Sequence, residues 1–182
     1  MRLLEIVETP TMNKDKMDGL RDFCKNELGK GIVNCNDTPG FIGNRIGVYA
    51  MQVAMYEALE RGLPVEIADA LFGRPLGIPK TGVFGLYDLI GIDLMKDVLA
   101  SFKKELQEND PFMDVVKPHP LVEQLLEKGF NGNKGPGGFY QTTIVEGDEH
   151  VKAMNTSDMS YYDFDKVDFC LLYTSPSPRD GS

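Results

Sequence analysis

The sequence has little positive charge and few side chains that bind metals. Lysine and arginine number 19 against 28 aspartates and glutamates, the formal net charge is -9, and no run of basic residues occurs. Because phosphate binding requires clustered lysine and arginine, this balance argues against a nucleic-acid partner. Cys24, Cys35 and Cys170 form no Cys-x-x-Cys pair and have no histidine at metal-ligand spacing, so no metal site is expected.

Long hydrophobic runs are also missing. No stretch approaches the roughly 20 apolar residues of a membrane-spanning helix, and no secretory signal pattern stands at the start of the sequence. The composition, 42% hydrophobic and 26% charged, is ordinary for a globular protein. Together with the scarcity of cysteine, these features predict a cytoplasmic protein without a membrane partner.

Both ends of the sequence lack the pattern of a natural domain boundary. The stretch MRLLEIVETP begins as an apolar strand with no lead-in, so Met1 is expected to be an internal methionine. The stretch CLLYTSPSPRDGS, residues 170–182, fits neither a helix nor a strand and resembles a translated sequencing-library adapter. We expect residues 170–182 to be non-native and exclude them from the fold prediction. A natural disordered tail is the alternative.

The apolar pattern predicts a small α/β piece followed by a helical domain. The predicted strands cover residues 3–7 and 31–35, and a predicted helix covers residues 13–28. Residues 1–35 are therefore expected to be the edge of a parallel α/β domain. Residues 36–140 are expected to form a mainly α domain. The pattern weakens beyond this point, so residues 141–169 are predicted to be a linker.

The longest predicted helix begins in NDTPGFIGNRIGVYA, residues 36–50. Asp37 or Thr38 can cap it, and Pro39 suits its first position, where no amide donor is lost. Large apolar residues at helical spacing predict its buried face: Ile42, Ile46, Tyr49, Val53 and Tyr56. Further helices are predicted at residues 64–72, 83–90, 92–106 and 121–128.

Glu5 is the first candidate for chemistry. It lies in the predicted strand LLEIV, where neither face is polar, and an unpaired carboxylate among apolar neighbours is costly. Glu5 therefore needs a cationic or hydrogen-bonding partner, and a histidine would serve. An exposed strand end is the alternative.

Two further candidates lie at a helix start and in a loop. Asn44 precedes Arg45 in the first turns of the long helix, where free amides and the helix dipole favour polar or anionic groups. Lys134 stands in GNKGPGG, where the glycines would allow a phosphate to approach the backbone. The alternatives are a surface Asn44 beside an ion-paired Arg45, and a solvated loop lysine.

Three stretches resemble one known family. DTPGFIGNR (37–45), GLYDLIGID (85–93) and GPGGFY (135–140) are similar, in this order and at fitting distances, to segments of the NAD-dependent L-3-hydroxyacyl-CoA dehydrogenases of fatty-acid β-oxidation. The resemblance covers nearly all of residues 1–140. It implies a helical C-terminal domain of the type also found in 6-phosphogluconate dehydrogenase, preceded by a remnant of the NAD-binding domain.

The resemblance also implies roles for the candidate residues. In this family the asparagine of the signature faces the active site, so Asn44 would help to hold the substrate and the catalytic histidine. Glu5 matches the glutamate that pairs with that histidine, and Lys134 matches a lysine that approaches the cofactor. The implied substrate is an acyl-CoA, the implied cofactor is NAD, and the implied assembly is a homodimer.

The family's catalytic histidine and its glycine-rich dinucleotide fold have no counterpart in this sequence. The histidine would lie a few residues before Met1, so we expect the 182-residue chain to be inactive alone. Two alternatives remain open at this stage: a non-catalytic helical module that pairs two subunits, and a hydroxyacid dehydrogenase of another substrate class. Residues after Tyr140 resemble, weakly, the linker of proteins with a fused enoyl-CoA hydratase.

Overall fold

The described part of the chain is mainly helical, which confirms the predicted mainly α class. A computed structural model describes residues 2–73, 76 and 80–165. The predicted adapter, residues 170–182, lies outside the described residues. The strands are β1 (Leu3–Val7), β2 (Gly31–Cys35), β3 (Tyr140–Val145), β4 (Asp148–Met154) and β5 (Tyr161–Tyr162). The α-helices are α1 (Lys14–Asn26), α2 (Gly43–Glu60), α3 (Val65–Leu71), α4 (Phe84–Ile90), α5 (Ile92–Glu105) and α6 (Pro120–Glu127), with a 3-10 helix at Pro111–Asp114.

The predicted strand–helix–strand piece is present. β1 and β2 pair in parallel, with Glu5 opposite Val33, and α1 makes the crossover that parallel pairing requires. Two members of the apolar stripe of α1, Met17 and Cys24, are buried, whereas several large apolar side chains of this piece are exposed: Leu3, Leu20, Phe23, Leu28 and Val33. This piece therefore presents an apolar surface with no cover among the described residues.

The main core lies among α2, α3, α4, α6 and the second sheet. Its fully buried large side chains include Met55, Val65, Phe84, Tyr87, Leu125, Phe139 and Met154. A smaller cluster forms where α5 meets the 3-10 helix, and Phe102 and Phe112 contact there edge to face, with ring centroids 4.8 Å apart. Burial of these aromatic rings fixes α5 against the segment that follows it.

The prediction for α2 is wrong in its start and in its buried face. The helix begins at Gly43, and none of the predicted capping residues bonds to it. Four of the five residues of the predicted stripe face outward, with Ile46 65% exposed, while Tyr56 packs partly against the core. The buried face carries Met51, Gln52, Ala54, Met55 and Ala58 instead, and it packs where α2 contacts α3.

A three-stranded antiparallel sheet, β3-β4-β5, occupies most of the predicted linker. β3 and β4 form a hairpin whose two-residue turn has Glu146 and Gly147 at positive φ, 55° and 96°. Ala153 and Met154 of β4 are fully buried in the main core. The predicted boundary at residue 140 therefore falls where β3 begins, and the domain division itself remains a prediction.

Two buried aspartates hold the start of α4 and the start of β3. Asp69, on α3, accepts hydrogen bonds from the backbone N–H groups of Val83 and Phe84 at 2.7 Å and of Gly85 at 2.8 Å. Asp88, near the end of α4, accepts from the N–H groups at 139 and 140, at 3.0 and 2.7 Å. These carboxylates satisfy buried donors that would otherwise have no partner.

The glycines around Lys134 are required by close packing against Asp88. A Cβ at Gly138 would lie 2.0 Å from Asp88 Oδ1, and a Cβ at Gly132 would lie 2.4 Å from Asp88 Cα. Gly132 also has φ of 66°, a conformation that side chains disfavour. The glycine-rich stretch thus allows the backbone of this loop to pack directly against the buried side chain and backbone of Asp88.

Replacing Asp88 with alanine is expected to destabilise the fold, because two buried N–H groups would each lose their acceptor at about 1–3 kcal/mol. Burial raises the pKa of Asp88 from 3.8 to about 7. The folded state therefore binds more protons than the unfolded state between these values, and the free energy of unfolding conferred by this group falls as pH rises through them. Urea unfolding across this pH range should show a lower free energy of unfolding for Asp88→Ala than for the parent chain. The difference between the two proteins should narrow toward pH 7.

Asp97→Ala is the matched control for this measurement. Asp97 is exposed on α5 and makes no side-chain hydrogen bond or ion pair among the described residues, so its removal should change stability by less than about 0.5 kcal/mol. An Asp88→Ala protein as stable as Asp97→Ala, or a loss that does not change with pH, would contradict the role given to Asp88.

Candidate active site at the start of α2

The backbone turns sharply just before α2. Gly40 and the non-glycine Phe41 both have positive φ, 75° and 50°. A Cβ at Gly40 would lie 2.4 Å from the ring of Phe102, so no other residue fits there without movement of that ring. A non-glycine residue at positive φ is uncommon and persists only where its surroundings enforce it. This turn aims the first amides of α2 toward β1.

Glu5 caps α2 from a distant part of the chain. Its Oε1 accepts hydrogen bonds from the N–H of Ile42 at 2.9 Å and from the N–H of Gly43 at 2.6 Å. Ile42, at the capping position itself, supplies no side-chain acceptor. The half-buried carboxylate therefore satisfies two free donors and lies at the positive end of the helix dipole. The predicted hydrogen-bonding partner of Glu5 is present as backbone amides.

The second oxygen of Glu5 makes no hydrogen bond within the described part of the chain. The Cys35 thiol lies 3.7 Å from Oε1, at the end of β2. Burial, followed by the negative charge of Glu5, raises the pKa of Cys35, so this thiol stays protonated near neutral pH. The site therefore offers a carboxylate with one free oxygen, which can accept a hydrogen bond from an imidazole.

Asn44 lies beside this carboxylate, in the first turn of α2. It directly follows Gly43, whose amide bonds to Glu5. Its side chain is exposed and makes no hydrogen bond among the described residues. The structure thus places Asn44 and the Glu5 carboxylate at the same end of α2, and the Asn44 amide is available to donate to an external oxygen.

An open groove of about 410 Å³ runs along the outward face of α2. It is lined by Phe41, Ile42, Arg45, Ile46, Tyr49 and Phe112 together with Asp110 and Pro111. Arg45 forms an ion pair with Asp110 at the groove wall. The ion-paired Arg45 of the alternative interpretation is therefore present, with Asp110 as the partner. The outward apolar face of α2 forms much of this groove.

Lys134 lies at the junction of α4 and α5. Its Nζ is 3.8 Å from Asp93 Oδ1, and its side chain is about half exposed. The neighbouring loop is fixed there by a hydrogen bond from the N–H of Asn133 to the carbonyl of Asp88 at 2.9 Å. No hydrogen bond or ion pair among the described residues joins Lys134 to Glu5 or Asn44. Its predicted contact with a cofactor remains a prediction.

Asp69 and Asp88 were not predicted as buried acceptors. Asp88, near the end of α4, is only 2% exposed. The signal that singled out Glu5, a carboxylate within an apolar segment, is present in EIADAL and GLYDLI as well. The same signal, read in all three segments, predicts Glu5, Asp69 and Asp88 alike as buried or partly buried acceptors of hydrogen bonds.

Replacing Glu5 should separate its capping role from its charge. Glu5→Ala removes the acceptor for two amides and is expected to lower the free energy of unfolding by about 1–2 kcal/mol. Glu5→Gln retains an amide oxygen that can accept the same bonds, so this variant should lose markedly less free energy of unfolding. Chemical denaturation of both variants beside Glu27→Ala, an exposed position after α1, provides the measurement. Equal losses in the alanine and glutamine variants would contradict the capping role.

A family profile described as "3-hydroxyacyl-CoA dehydrogenase, C-terminal domain" matches residues 40–142. The match covers more than half of the chain and includes α2 through the start of the second sheet. The chain therefore belongs to the 3-hydroxyacyl-CoA dehydrogenase family, as the resemblance predicted.

Two curated relatives illustrate the range of the family. The chain is 36% identical over 168 residues to a Rickettsia prowazekii protein named "Putative fatty acid oxidation complex trifunctional enzyme", covering 92% of this chain and 23% of that protein. It is 36% identical over 143 residues to the mitochondrial hydroxyacyl-coenzyme A dehydrogenase of Rattus norvegicus, covering 78% and 43%. The chain thus spans less than half the length of these relatives.

Solved structures show the same fold. M. tuberculosis FadB2 aligns with a TM-score of 0.62 at 28% identity, covering 79% of this chain and 48% of that one. The 3-hydroxybutyryl-CoA dehydrogenase of Escherichia coli aligns with a TM-score of 0.60 at 32% identity, covering 78% of this chain and 29% of that one.

Within the described residues no helix is both long and apolar enough to cross a membrane, and no group of side chains there is arranged to hold a metal ion.

Proposed function

We propose that this chain supplies part of the active site of an enzyme that oxidises 3-hydroxyacyl-CoA to 3-ketoacyl-CoA with NAD. The observation that carries the proposal is the position of Glu5, whose carboxylate is held at the start of α2 beside Asn44 with one oxygen free. Membership in the family and its names for whole relatives support the reaction class. Because the chain covers a minor part of those relatives, the activity is proposed for a longer protein.

In this reaction a proton leaves the 3-hydroxyl and a hydride leaves C3, and NAD is the hydride acceptor. Glu5 would accept a hydrogen bond from the ring N–H of the histidine that takes the proton, and so would orient that ring and stabilise its charged form. Asn44 would donate its amide N–H to the substrate oxygen, where negative charge develops. Glu5 is thus a positioning residue, and Asn44 contacts the substrate.

The described residues do not form a cradle for NAD. The connection between β1 and α1, residues 8–13, has no glycine at which the backbone could approach a pyrophosphate. Lys134, the predicted cofactor contact, is engaged with Asp93. We therefore propose that the regions of the relatives outside the match hold the dinucleotide, with Lys134 adding at most one positive charge near it.

The test uses the longer reading frame that contains this sequence, assayed for NADH formation with 3-hydroxybutyryl-CoA. Asn44→Ala should lower kcat by about a hundredfold or more, because a donor to the developing charge is lost. Glu5→Gln should lower kcat by about tenfold or more with little change in KM. It should also lower the apparent pKa of kcat/KM, since a neutral partner stabilises the imidazolium less. The 182-residue chain alone should produce no NADH.

Asn36→Ala and Glu27→Gln are the matched controls for this assay. Both residues are exposed, and their side chains make no hydrogen bond among the described residues. Their kcat values should stay within about twofold of the parent enzyme. If Asn44→Ala and Glu5→Gln behaved like these controls, the assigned roles would be wrong.

The alternative, a module that only associates two copies, is favoured by one observation. The outward face of α2 leaves Ile46 65% exposed, with Tyr49 and Val53 at 38% and 36%. Exposed apolar patches of this kind mark contact surfaces. The capping role of Glu5 serves either function, whereas its free second oxygen is useful only to the catalytic one. A homodimer is compatible with catalysis, and we include it in the proposal together with a cytoplasmic location.

Ile46→Glu should weaken self-association through this face. A charge at the centre of an apolar contact is expected to raise the dimer dissociation constant at least about tenfold. Sedimentation velocity over a range of concentrations measures it. Ile144→Glu, at a 74% exposed position on β3, is the control and should leave association unchanged. Equal dimer dissociation constants for Ile46→Glu and Ile144→Glu would exclude this face from the dimer contact.

A further inference from the structure

A second, smaller pocket lies between α5, α6 and the middle of α2. Its volume is about 190 Å³, and it shares no lining residue with the groove on the outward face of α2. Its walls are mainly apolar side chains, among them Met55, Leu99, Val116 and Val122. For scale, an engineered apolar cavity of roughly 150 Å³ holds a benzene molecule. The pocket therefore has room for a hydrocarbon tail of roughly six to eight carbons.

The polar groups on the floor of this pocket already have partners. Gln52 is fully buried, and its Nε2 donates to the carbonyl of Val115 at 2.9 Å. The hydroxyl of Tyr87, which is also buried, donates to Gln52 Oε1. A polar group entering the pocket would lose its water and find no free partner on this floor. The interior therefore favours a hydrocarbon over a polar ligand.

The mouth of the pocket is positively charged. Lys96, Lys103 and Lys117 line it with a single carboxylate, Glu123, and with His119, whose Nδ1 accepts the N–H of Leu121. Lys96 and Lys103 are seven residues apart on α5, which places them two turns apart on one face. None of the three lysine side chains makes an ion pair or hydrogen bond within the described part of the chain. In a chain with a formal net charge of -9, this is a local excess of unpaired positive charge beside an apolar pocket.

We propose that this pocket binds a small anionic amphiphile. The hydrocarbon tail lies among Met55, Leu99 and Val122, and the anionic head, a carboxylate or a phosphate, lies at the mouth. There the lysine stems extend the apolar wall while their ammonium groups reach the head. Burial of the tail supplies most of the affinity, and the lysines supply the selection for an anion. The site is independent of the catalytic roles proposed for Glu5 and Asn44.

Octanoate, octyl phosphate, 1-octanol and acetate are the probes that test this site. The complete 182-residue chain, labelled with 15N, is titrated with each probe, and amide shift changes give the dissociation constants. Octanoate and octyl phosphate should shift residues of α5 and α6 and bind more tightly than the uncharged octanol. Acetate, which lacks a tail, should not bind. The dissociation constants of octanoate and octyl phosphate, compared with each other, show whether the site prefers a carboxylate or a phosphate head.

Variants locate the binding and separate tail from head. Lys103→Gln and Lys117→Gln should each raise the octanoate dissociation constant about two- to fivefold, and salt should weaken binding to the parent chain. Lys104→Gln, one residue along α5 and outside the pocket lining, is the matched control and should change nothing. Ala100→Phe, at an exposed position of the mouth, should block entry without disturbing the core.

The proposal fails on any of three results. The first is no octanoate binding in the millimolar range. The second is octanol binding as tightly as octanoate, which would remove the role of the lysines. The third is weaker octanoate binding in Lys104→Gln, or unchanged octanoate binding in Ala100→Phe. Either result would place the binding elsewhere on the surface. Circular dichroism of each variant confirms that the comparison is made on folded protein.

Discussion

The structure depends on carboxylates that accept backbone N–H groups far from themselves in the chain. The starts of α2 and α4 lack local caps, since Ile42 and Val83 occupy the capping positions and bond no amide with their side chains. Glu5 and Asp69 supply the missing acceptors from β1 and α3. Asp88 does the same for the start of β3. Each bond joins two segments that packing alone would leave free to shift, because a buried donor without an acceptor is costly.

This way of capping explains which parts of the fold the sequence predicted. α1 begins at Lys14, directly after the cap Asn13, whose side chain accepts a hydrogen bond from the N–H of Lys16, and this start was predicted within one residue. α2 was predicted to begin near Pro39 because Asp37 and Thr38 are common caps. Its true cap, Glu5, comes from a strand more than thirty residues earlier, and no local rule detects such a partner. The strands of β1 and β2 followed from apolar runs alone.

The wrong face of α2 and the missed second sheet have different causes. Periodicity located an apolar stripe on α2, but a second, mainly apolar stripe of alanine and methionine packs inward where α2 contacts α3. Because both stripes are mainly apolar, periodicity alone could not identify the buried one. The sheet beyond residue 140 was missed although a signal was present, since Glu146 and Gly147 form a two-residue hairpin turn between two strands of six and seven residues.

For the candidate site, the sequence singled out Glu5 and Asn44 but could not show that they lie at one helix end. In the structure Glu5 accepts the amides of Ile42 and Gly43, directly before Asn44, so the bonds that fix the helix also fix the carboxylate. Stability and the proposed chemistry therefore use the same atoms: Oε1 is committed to the helix, and the free oxygen keeps its direction because Oε1 is held. A side chain anchored in this way loses little entropy when it accepts one more hydrogen bond, which is the condition for positioning an imidazole.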